Sequence, residues 1–351
     1  MKVGIVGLGK MGRHHAGVIG KFEFVDQIVG CDLNPAAREA ARHEGLCSVV
    51  PDLDALLAAG PEAVFVVTQP SAHAAAIRTC LEAGRPVFTE KPLCTDLEEG
   101  RALVALAEAR NLNLQVGFEL RYGGMTQGMK DVVAQGQIGE PLHMHLIQVS
   151  GSKAKPDWMV RSRIGGIFYE KLCHQIDLFR FWFGEPERVM AVTSPNALAH
   201  YEAPDHVQAA LCFPGGHLGA ICFITTRAAH VGGTSDHGDR GHYYQLILTC
   251  RNGSVTFDHW TETLEVVRFN HREDLKSELI ESINVRERYG EPAYALENQD
   301  RDFLEKTRQG KPPTFPASDA LKSMEWVECA EQSLRQGGQW VEPGGRGQES
   351  G

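Results

Sequence analysis

The stretch Val3-Gly4-Ile5-Val6-Gly7-Leu8-Gly9-Lys10-Met11-Gly12 constrains this chain more than any other. An apolar strand runs directly into a GxGxxG turn, and a helix expected over Met11–Ile19 follows. Gly7 permits the tight turn, Gly9 lets the backbone approach a pyrophosphate, and Gly12 allows helix to pack closely on strand. Leu8, Lys10 and Met11 complete the cradle, whose amides and helix dipole favour an anion. A second strand, expected from Phe24 to Cys31, ends at Asp32. A carboxylate there accepts hydrogen bonds from the adenosine ribose and repels a 2′-phosphate, which points to NAD rather than NADP. The competing role for Asp32 is an N-cap ahead of Asn34-Pro35.

Beyond Asp32 the alternation continues. Helices are expected over Ala36–Glu44, Leu53–Ala58, Ala72–Ala83 and Leu97–Ala109, with strands near Val49 and over Ala63–Val67, Pro86–Phe88 and Leu114–Gly117. This period means a parallel, doubly wound Rossmann sheet, whose ligand lies beyond the carboxyl ends of the strands. Two segments fall on that rim: Thr68-Gln69-Pro70-Ser71 and Thr89-Glu90-Lys91-Pro92. A lysine where a buried strand stops is placed to face a ligand and to have its pKa lowered, so Lys91 is the first catalytic candidate. The competing reading is a solvated loop lysine.

At 351 residues the chain suits two domains, expected as 1–120 and 121–343 with a disordered tail over 344–351. A net charge of −10 argues against nucleic acid or an anionic membrane as partner. No apolar run reaches eighteen residues, and the N-terminus opens directly into a strand, so a cytoplasmic protein is expected. The nine cysteines are scattered and form no CxxC pair, so neither disulfides nor a metal site is expected. What remains is a small-molecule partner.

In the second domain a helix is expected over Gly124–Val133 and a strand over Leu142–Ser150. A basic loop, Gly151–Ile164, carries Trp158, Arg161 and Arg163. After Gly165-Gly166 comes a helix in which Glu170, His174 and Asp177 fall at i, i+4 and i+7 amid Ile167, Leu178, Phe179 and Phe181. Three ionisable groups on one face of an apolar helix are costly to bury without partners or a ligand, and this marks a site. Strands are expected over Arg188–Thr193, Val207–Phe213, His217–Thr226, Tyr244–Thr249, Ser254–Phe257 and Thr263–Phe269. The connection Arg227–His242, with His230 and His237, reads as a substrate loop. Helices over Glu297–Thr307 and Ala317–Arg335 close the chain. An uncovered apolar sheet face makes a homodimer or homotetramer the expected assembly.

In this order, GxGxxG, Asp32, Thr68-Gln69-Pro70-Ser71-Ala72-His73, Glu90-Lys91-Pro92, Val116-Gly117-Phe118 with Arg121, and Gly165-Gly166 leading to His174 and Asp177 resemble the glucose-fructose oxidoreductase, inositol dehydrogenase and MocA family. The resemblance implies a Rossmann domain followed by an α+β domain with an open-faced, mainly antiparallel sheet. It implies NAD or NADP as cofactor and hydride transfer at a hydroxyl carbon of a sugar, cyclitol or related polyol. It brings His73 and Glu90 to the cofactor, Arg121 to the substrate, and Trp158 and Arg161 to cofactor or substrate, the competing reading for these two being a solvated basic loop. It also implies a cis Lys91-Pro92 bond. Where the family commonly has aspartate four residues before the histidine, this chain has Glu170 followed by Lys171. The expected roles are His174 as general base, Lys91 stabilising the alkoxide, and Glu170 with Asp177 orienting His174 or binding hydroxyls. The rivals are an NAD-using glycosidase or lyase with transient oxidation, and a non-catalytic dinucleotide sensor.

Overall fold

The computed structural model describes residues 1–151, 168–226, 242–270, 276–292 and 295–344. Trp158, Arg161, Arg163, Gly165, Gly166, Ile167, His230, His237 and the tail beyond Gly344 lie outside the described residues.

The chain divides into two compact units, Met1–Glu119 with Ala295–Met324, and Leu120–Tyr294 with the chain from Glu325 on. The sequence reading had left Ala295–Met324 in the second domain. Its helix belongs with the first because Phe303 and Leu304 are buried in the same core as Val3, Ile5, Phe65 and Phe88.

In the first unit the strands are β1 (Lys2–Val6), β2 (Gln27–Cys31), β3 (Ser48–Val50), β4 (Ala63–Val66), β5 (Val87–Thr89) and β6 (Leu114–Val116). They form one sheet in the order β3-β2-β1-β4-β5-β6, and each neighbouring pair is parallel. Helices cover such a sheet on both faces, which is why β4 reads Ala-Val-Phe-Val and is buried at each position. The helices are α1 (Lys10–Ile19), α2 (Pro35–His43), α3 (Leu53–Ala58), α4 (Pro70–Glu82) and α5 (Leu97–Ala109). Two of them start where the sequence reading put them because an aspartate caps each: Asp52 accepts from the Ala55 amide and Asp96 from the Glu99 amide. The strand order reverses between β1 and β4, and this switch point is where an open α/β sheet binds its ligand.

In the second unit α6 (Gly124–Ala134) precedes β7 (Pro141–Gly151). A π-helical turn, Phe168–Leu172, then runs into α7 (Cys173–Phe183) where an uninterrupted α-helix was expected. The strands that follow are β8 (Arg188–Val192), β9 (His206–Cys212), β10 (Leu218–Thr226), β11 (His242–Cys250), β12 (Gly253–Asp258), β13 (Thr263–Arg268) and β14 (Glu278–Asn284). They form an eight-stranded sheet ordered β14-β13-β12-β11-β7-β10-β9-β8, antiparallel except between β7 and β10. Strand β12 alternates buried and half-buried along its length, as a sheet covered on one face requires. Strand β14 and the short helix α8 (Val285–Tyr289) were not expected. The strand Glu-Leu-Ile-Glu-Ser-Ile-Asn lies at the sheet edge, and its charge and exposure leave no clean alternation to read.

Helices α9 (Leu296–Arg308) and α10 (Ala317–Arg335) complete the chain. Among the described residues no helix is long and apolar enough to cross a membrane. Helix α9 reaches its core through Phe303, whose ring stands edge-on to Phe65 at 5.5 Å, while Phe65 stacks on Phe88 at 4.7 Å. Truncating so large a buried ring leaves a cavity, so Phe303→Ala is expected to cost the first unit about 3–5 kcal/mol in denaturant unfolding. A loss below about 1 kcal/mol would show that α9 is not part of that core.

Candidate active site

The glycine-rich turn is shaped by backbone held against backbone. Gly7 has φ +99°, and a Cβ on it would sit 2.5 Å from the Val67 carbonyl oxygen. A Cβ on Gly12 would lie 1.8 Å from the carbonyl oxygen of Gly7. A Cβ on Gly9, by contrast, would meet nothing within 4 Å. The loop is therefore packed shut behind and open in front, at the N-terminus of α1, which is the cradle a pyrophosphate requires.

Asp32 is fixed to this turn. Its Oδ2 accepts from the Leu8 amide at 2.8 Å and its Oδ1 from the Asn34 amide at 2.7 Å. The cap of α2 is Asn34, whose side chain accepts from the Ala36 amide at 3.0 Å, so the capping role considered for Asp32 falls to its neighbour. A cation that the sequence reading passed over lies close by: Arg38 donates to the Asp32 carbonyl at 2.6 Å and to the Leu33 carbonyl at 3.2 Å.

On the rim, Gln69 stands at the N-cap of α4 in extended conformation and Pro70 opens the helix. His73 is buried, with Nδ1 2.8 Å from the Pro92 carbonyl oxygen and Nε2 3.0 Å from that of Thr68. Burial holds its pKa below the ordinary histidine value, and the neutral ring, with a single N–H, donates to one of these two carbonyls at a time. The Lys91-Pro92 bond is cis, as the resemblance implied. Strand β5 delivers this turn: the Glu90 amide donates to the Val66 carbonyl at 3.0 Å, and the Lys91 amide to Glu90 Oε2 at 3.2 Å.

Behind Lys91 lies a group of ionisable side chains that the sequence reading missed. His15, fully buried on α1, has Nδ1 2.7 Å from Asp300 Oδ2 and Nε2 3.1 Å from Glu90 Oε1. Burial alone would lower the pKa of His15, but the two carboxylates outweigh it and raise it to about 10. Burial raises Asp300 to about 6 against the pull of His15, while Glu90 is held below the usual carboxylate range by His15 and Lys91 in spite of its burial. Glu119 goes the other way, pushed up to about 8 by burial and by the charge on Glu90. These directions favour a charged His15 between ionised Glu90 and Asp300, and a Glu119 that holds its proton to higher pH than an ordinary carboxylate. A signal for the first two was present: Gly12, His15, Ala16 and Ile19 form the buried face of α1, and Leu296, Gln299, Asp300, Phe303 and Leu304 that of α9. Each apolar stripe carries one ionisable residue at a core position.

In the second unit, Arg121 donates Nε and Nη2 to the two oxygens of Asp177 at 2.6 and 2.5 Å, and both side chains are buried. Two residues expected to bind substrate are thereby bound to each other, and Arg180 Nη1 stands 4.0 Å from the same carboxylate. Glu170, in the π-helical turn, is half-buried with Lys171 Nζ 3.6 Å from its Oε1. His174 lies in the first turn of α7 and is 6% exposed. The wider π turn leads into the helix that carries His174 and Asp177, and such turns recur at functional sites.

The chain matches two family models in order: the oxidoreductase family, NAD-binding Rossmann fold, over residues 1–118, and the oxidoreductase family, C-terminal alpha/beta domain, over residues 130–342. The chain is 30% identical over 250 residues to an inositol 2-dehydrogenase of Rhodococcus erythropolis, covering 69% of this chain and 70% of that one. It is 24% identical over 346 residues to a myo-inositol 2-dehydrogenase of Thermotoga maritima, covering 96% and 97% of the two. Among solved structures, levoglucosan dehydrogenase in complex with NADH and levoglucosan superposes with a TM-score of 0.80 at 21% identity, covering 98% of this chain and 100% of that one. The chain belongs to the glucose-fructose oxidoreductase, inositol dehydrogenase and MocA family and is an NAD-dependent oxidoreductase.

The two glycines with opposite surroundings separate the fold of the turn from its use. Gly12→Ala is expected to lower the melting temperature, because its methyl group collides with backbone. Gly9→Ala is expected to leave the melting temperature unchanged and to weaken NAD binding at least about tenfold by calorimetry, since its methyl group projects toward the pyrophosphate. Unaltered NAD affinity in Gly9→Ala would place the dinucleotide elsewhere.

Proposed function

We propose that this protein oxidises a CH–OH group of a cyclitol or sugar, with Lys91 and His174 as the groups that handle the hydroxyl. The observation that carries this reading is Lys91 itself. It stands at the carboxyl end of β5 on a turn anchored by His73, with the Glu90 carboxylate hydrogen-bonded to its own amide. The relatives named above act, by their names, on inositol and levoglucosan, and both are compact polyhydroxylated rings.

Bound NAD supplies the hydride acceptor. Gly7 to Gly12 and the N-terminus of α1 hold its pyrophosphate, Asp32 accepts from its adenosine ribose, and Thr68, Gln69 and Pro70 line the rim beside it. Lys91 donates a hydrogen bond to the reacting hydroxyl and stabilises negative charge as its proton leaves. His174, neutral, accepts that proton, and in the reverse direction returns it. Glu170, carried one methylene further than an aspartate would be and paired with Lys171, binds a neighbouring hydroxyl. Asp177 serves through Arg121, fixing the helix that carries His174. Trp158 and Arg161 remain assigned to cofactor or substrate by family resemblance.

We also propose that the protein is a cytoplasmic homodimer or homotetramer. All nine cysteines are free thiols, which suits a reducing compartment. The open face of the second unit's sheet shows Ile147, Leu218 and Ile224 at 39%, 37% and 36% exposure, on neighbouring strands β7 and β10. A second copy would cover them. Ile147→Lys is expected to shift the protein toward monomer in sedimentation velocity, and a monomeric parent would overturn this part of the reading.

The activity is tested by following NADH absorbance with NAD and a panel of inositols, anhydrosugars, hexoses and sugar acids. Net NADH from at least one member is expected. With that substrate, Lys91→Ala and His174→Gln should each lower kcat by about two to four orders of magnitude with little change in NAD affinity. His174→Gln should also flatten the acidic limb of the kcat/KM profile, because oxidation needs the neutral imidazole. A kcat within about twofold of the parent in either variant would remove that residue from the chemistry.

A further inference from the structure

The buried group around His15 plays no part in the hydride transfer described above, yet its geometry leads directly to Lys91. Both nitrogens of one imidazole face carboxylate oxygens, Asp300 at 2.7 Å and Glu90 at 3.1 Å. An ionised carboxylate only accepts hydrogen bonds, so both contacts are satisfied at once only when both ring nitrogens carry protons. The side chain of His15 has no solvent exposure and its ring packs against Phe65 and Phe88, each at 5.5 Å between centroids. Water is therefore kept from the ring and from Asp300, while the Glu90 side chain retains 12% exposure.

We infer that His15 is a positioning residue for Lys91: its imidazolium, anchored by Asp300, keeps the Glu90 carboxylate ionised behind the lysine, so that Lys91 meets substrate as an oriented cation. The inference rests on the assignment of Lys91 to the chemistry and extends it to three residues on three separate elements.

Charge balance supports it. The groups facing Glu90 are His15 from α1, Lys91 beside it in the chain, His73 from α4 and Glu119 after β6, with Asp300 from α9 behind His15. His15 and Lys91 supply two positive charges against Glu90 and Asp300, while burial shifts both Glu119 and His73 toward their neutral forms. Without the imidazolium, the repulsion between Glu90 and the fully buried Asp300 is no longer offset from between them, which favours uptake of a proton. Glu90 also has the space it occupies left to it by the backbone. A Cβ on Gly117 would stand 3.2 Å from Glu90 Oε1, so glycine at the end of β6 leaves room for the carboxylate where it lies. A purely structural His15, tying α1 to α9, would use the same contact with Asp300 but would not need Glu90 ionised.

The experiment compares the full-length parent with His15→Gln, which keeps hydrogen-bonding capacity and loses the charge. Glutamate Cδ-labelled protein, with the Glu90 signal assigned through Glu90→Gln, is titrated by carbon NMR. Glu90 should titrate below the ordinary glutamate range in the parent, and its midpoint should rise by at least about one pH unit in His15→Gln. With NAD saturating and an active substrate, His15→Gln should lose at least about tenfold in kcat at pH 7 while the Kd for NAD stays within about threefold. That loss should shrink as pH rises and Glu90 ionises again. In a Glu90→Gln background the His15 substitution should cost less than about twofold, since the group through which it acts is already neutral. Should His15→Gln not fold, Asp300→Asn removes the anchor at similar shape and should move the Glu90 midpoint in the same direction. An unchanged Glu90 midpoint, or an undiminished loss in the Glu90→Gln background, overturns the inference. If the parent forms no NADH with any substrate, the proposed activity falls, while the Glu90 titration still decides whether His15 governs that carboxylate.

Discussion

Two close backbone contacts, Gly7 against the Val67 carbonyl and Gly12 against the carbonyl of Gly7, are the constraint on which the rest of the first unit depends. They bring the end of β1, the start of α1 and the end of β4 into one compact corner where no side chain fits. That corner lies at the strand-order switch, so the amides of the turn face the crevice and Asp32 can reach the Leu8 amide. They also fix the direction of α1. Once α1 leaves the corner at that angle, its inner face points at Phe65, Phe88 and α9, and His15 is carried into the core.

A histidine in that position has to be reconciled with the cost of desolvation. Isolated, it would be neutral; between Asp300 and Glu90 it is charged, and the three groups compensate one another. Buried ion pairs add little net stability relative to apolar packing, so their stabilising energy is a weak reason for this arrangement. What the arrangement provides is a defined charge behind a rim lysine. Arg121 and Asp177 in the second unit follow the same rule: a bidentate pair with both side chains buried, fixing the helix that carries His174. In each unit the residue proposed for the chemistry adjoins an ionic group, His15 with Asp300 and Glu90 in the first and Arg121 with Asp177 in the second.

Much of this could be read from the residues, and the reasons differ by element. The Rossmann strands are short apolar runs between glycines, and α3 and α5 begin at aspartates whose capping is a local property, so both sets of boundaries were legible. The edge strand β14 was not, because exposed edges carry charge instead of alternation. The return of α9 to the first unit is a long-range packing choice that its own amphipathic pattern permits but does not specify. That Lys91 stands where a buried strand ends was legible. Its supporting group was written only as single ionisable residues in two apolar stripes far apart in the chain, and their meeting is a tertiary fact. The pairing of Arg121 with Asp177, residues each expected to face substrate, likewise needed the fold to bring them together.

The account stands on Lys91 facing the reacting carbon. The most direct measurement is a crystal structure of the protein with NAD and a substrate from the inositol and sugar panel. The account predicts the pyrophosphate over Gly9, the adenosine ribose on Asp32, and the Lys91 ammonium within hydrogen-bond reach of a hydroxyl whose carbon lies about 3–3.5 Å from the nicotinamide ring. A nicotinamide bound away from Lys91, or a lysine turned to solvent with no contact to the reacting hydroxyl, would contradict it.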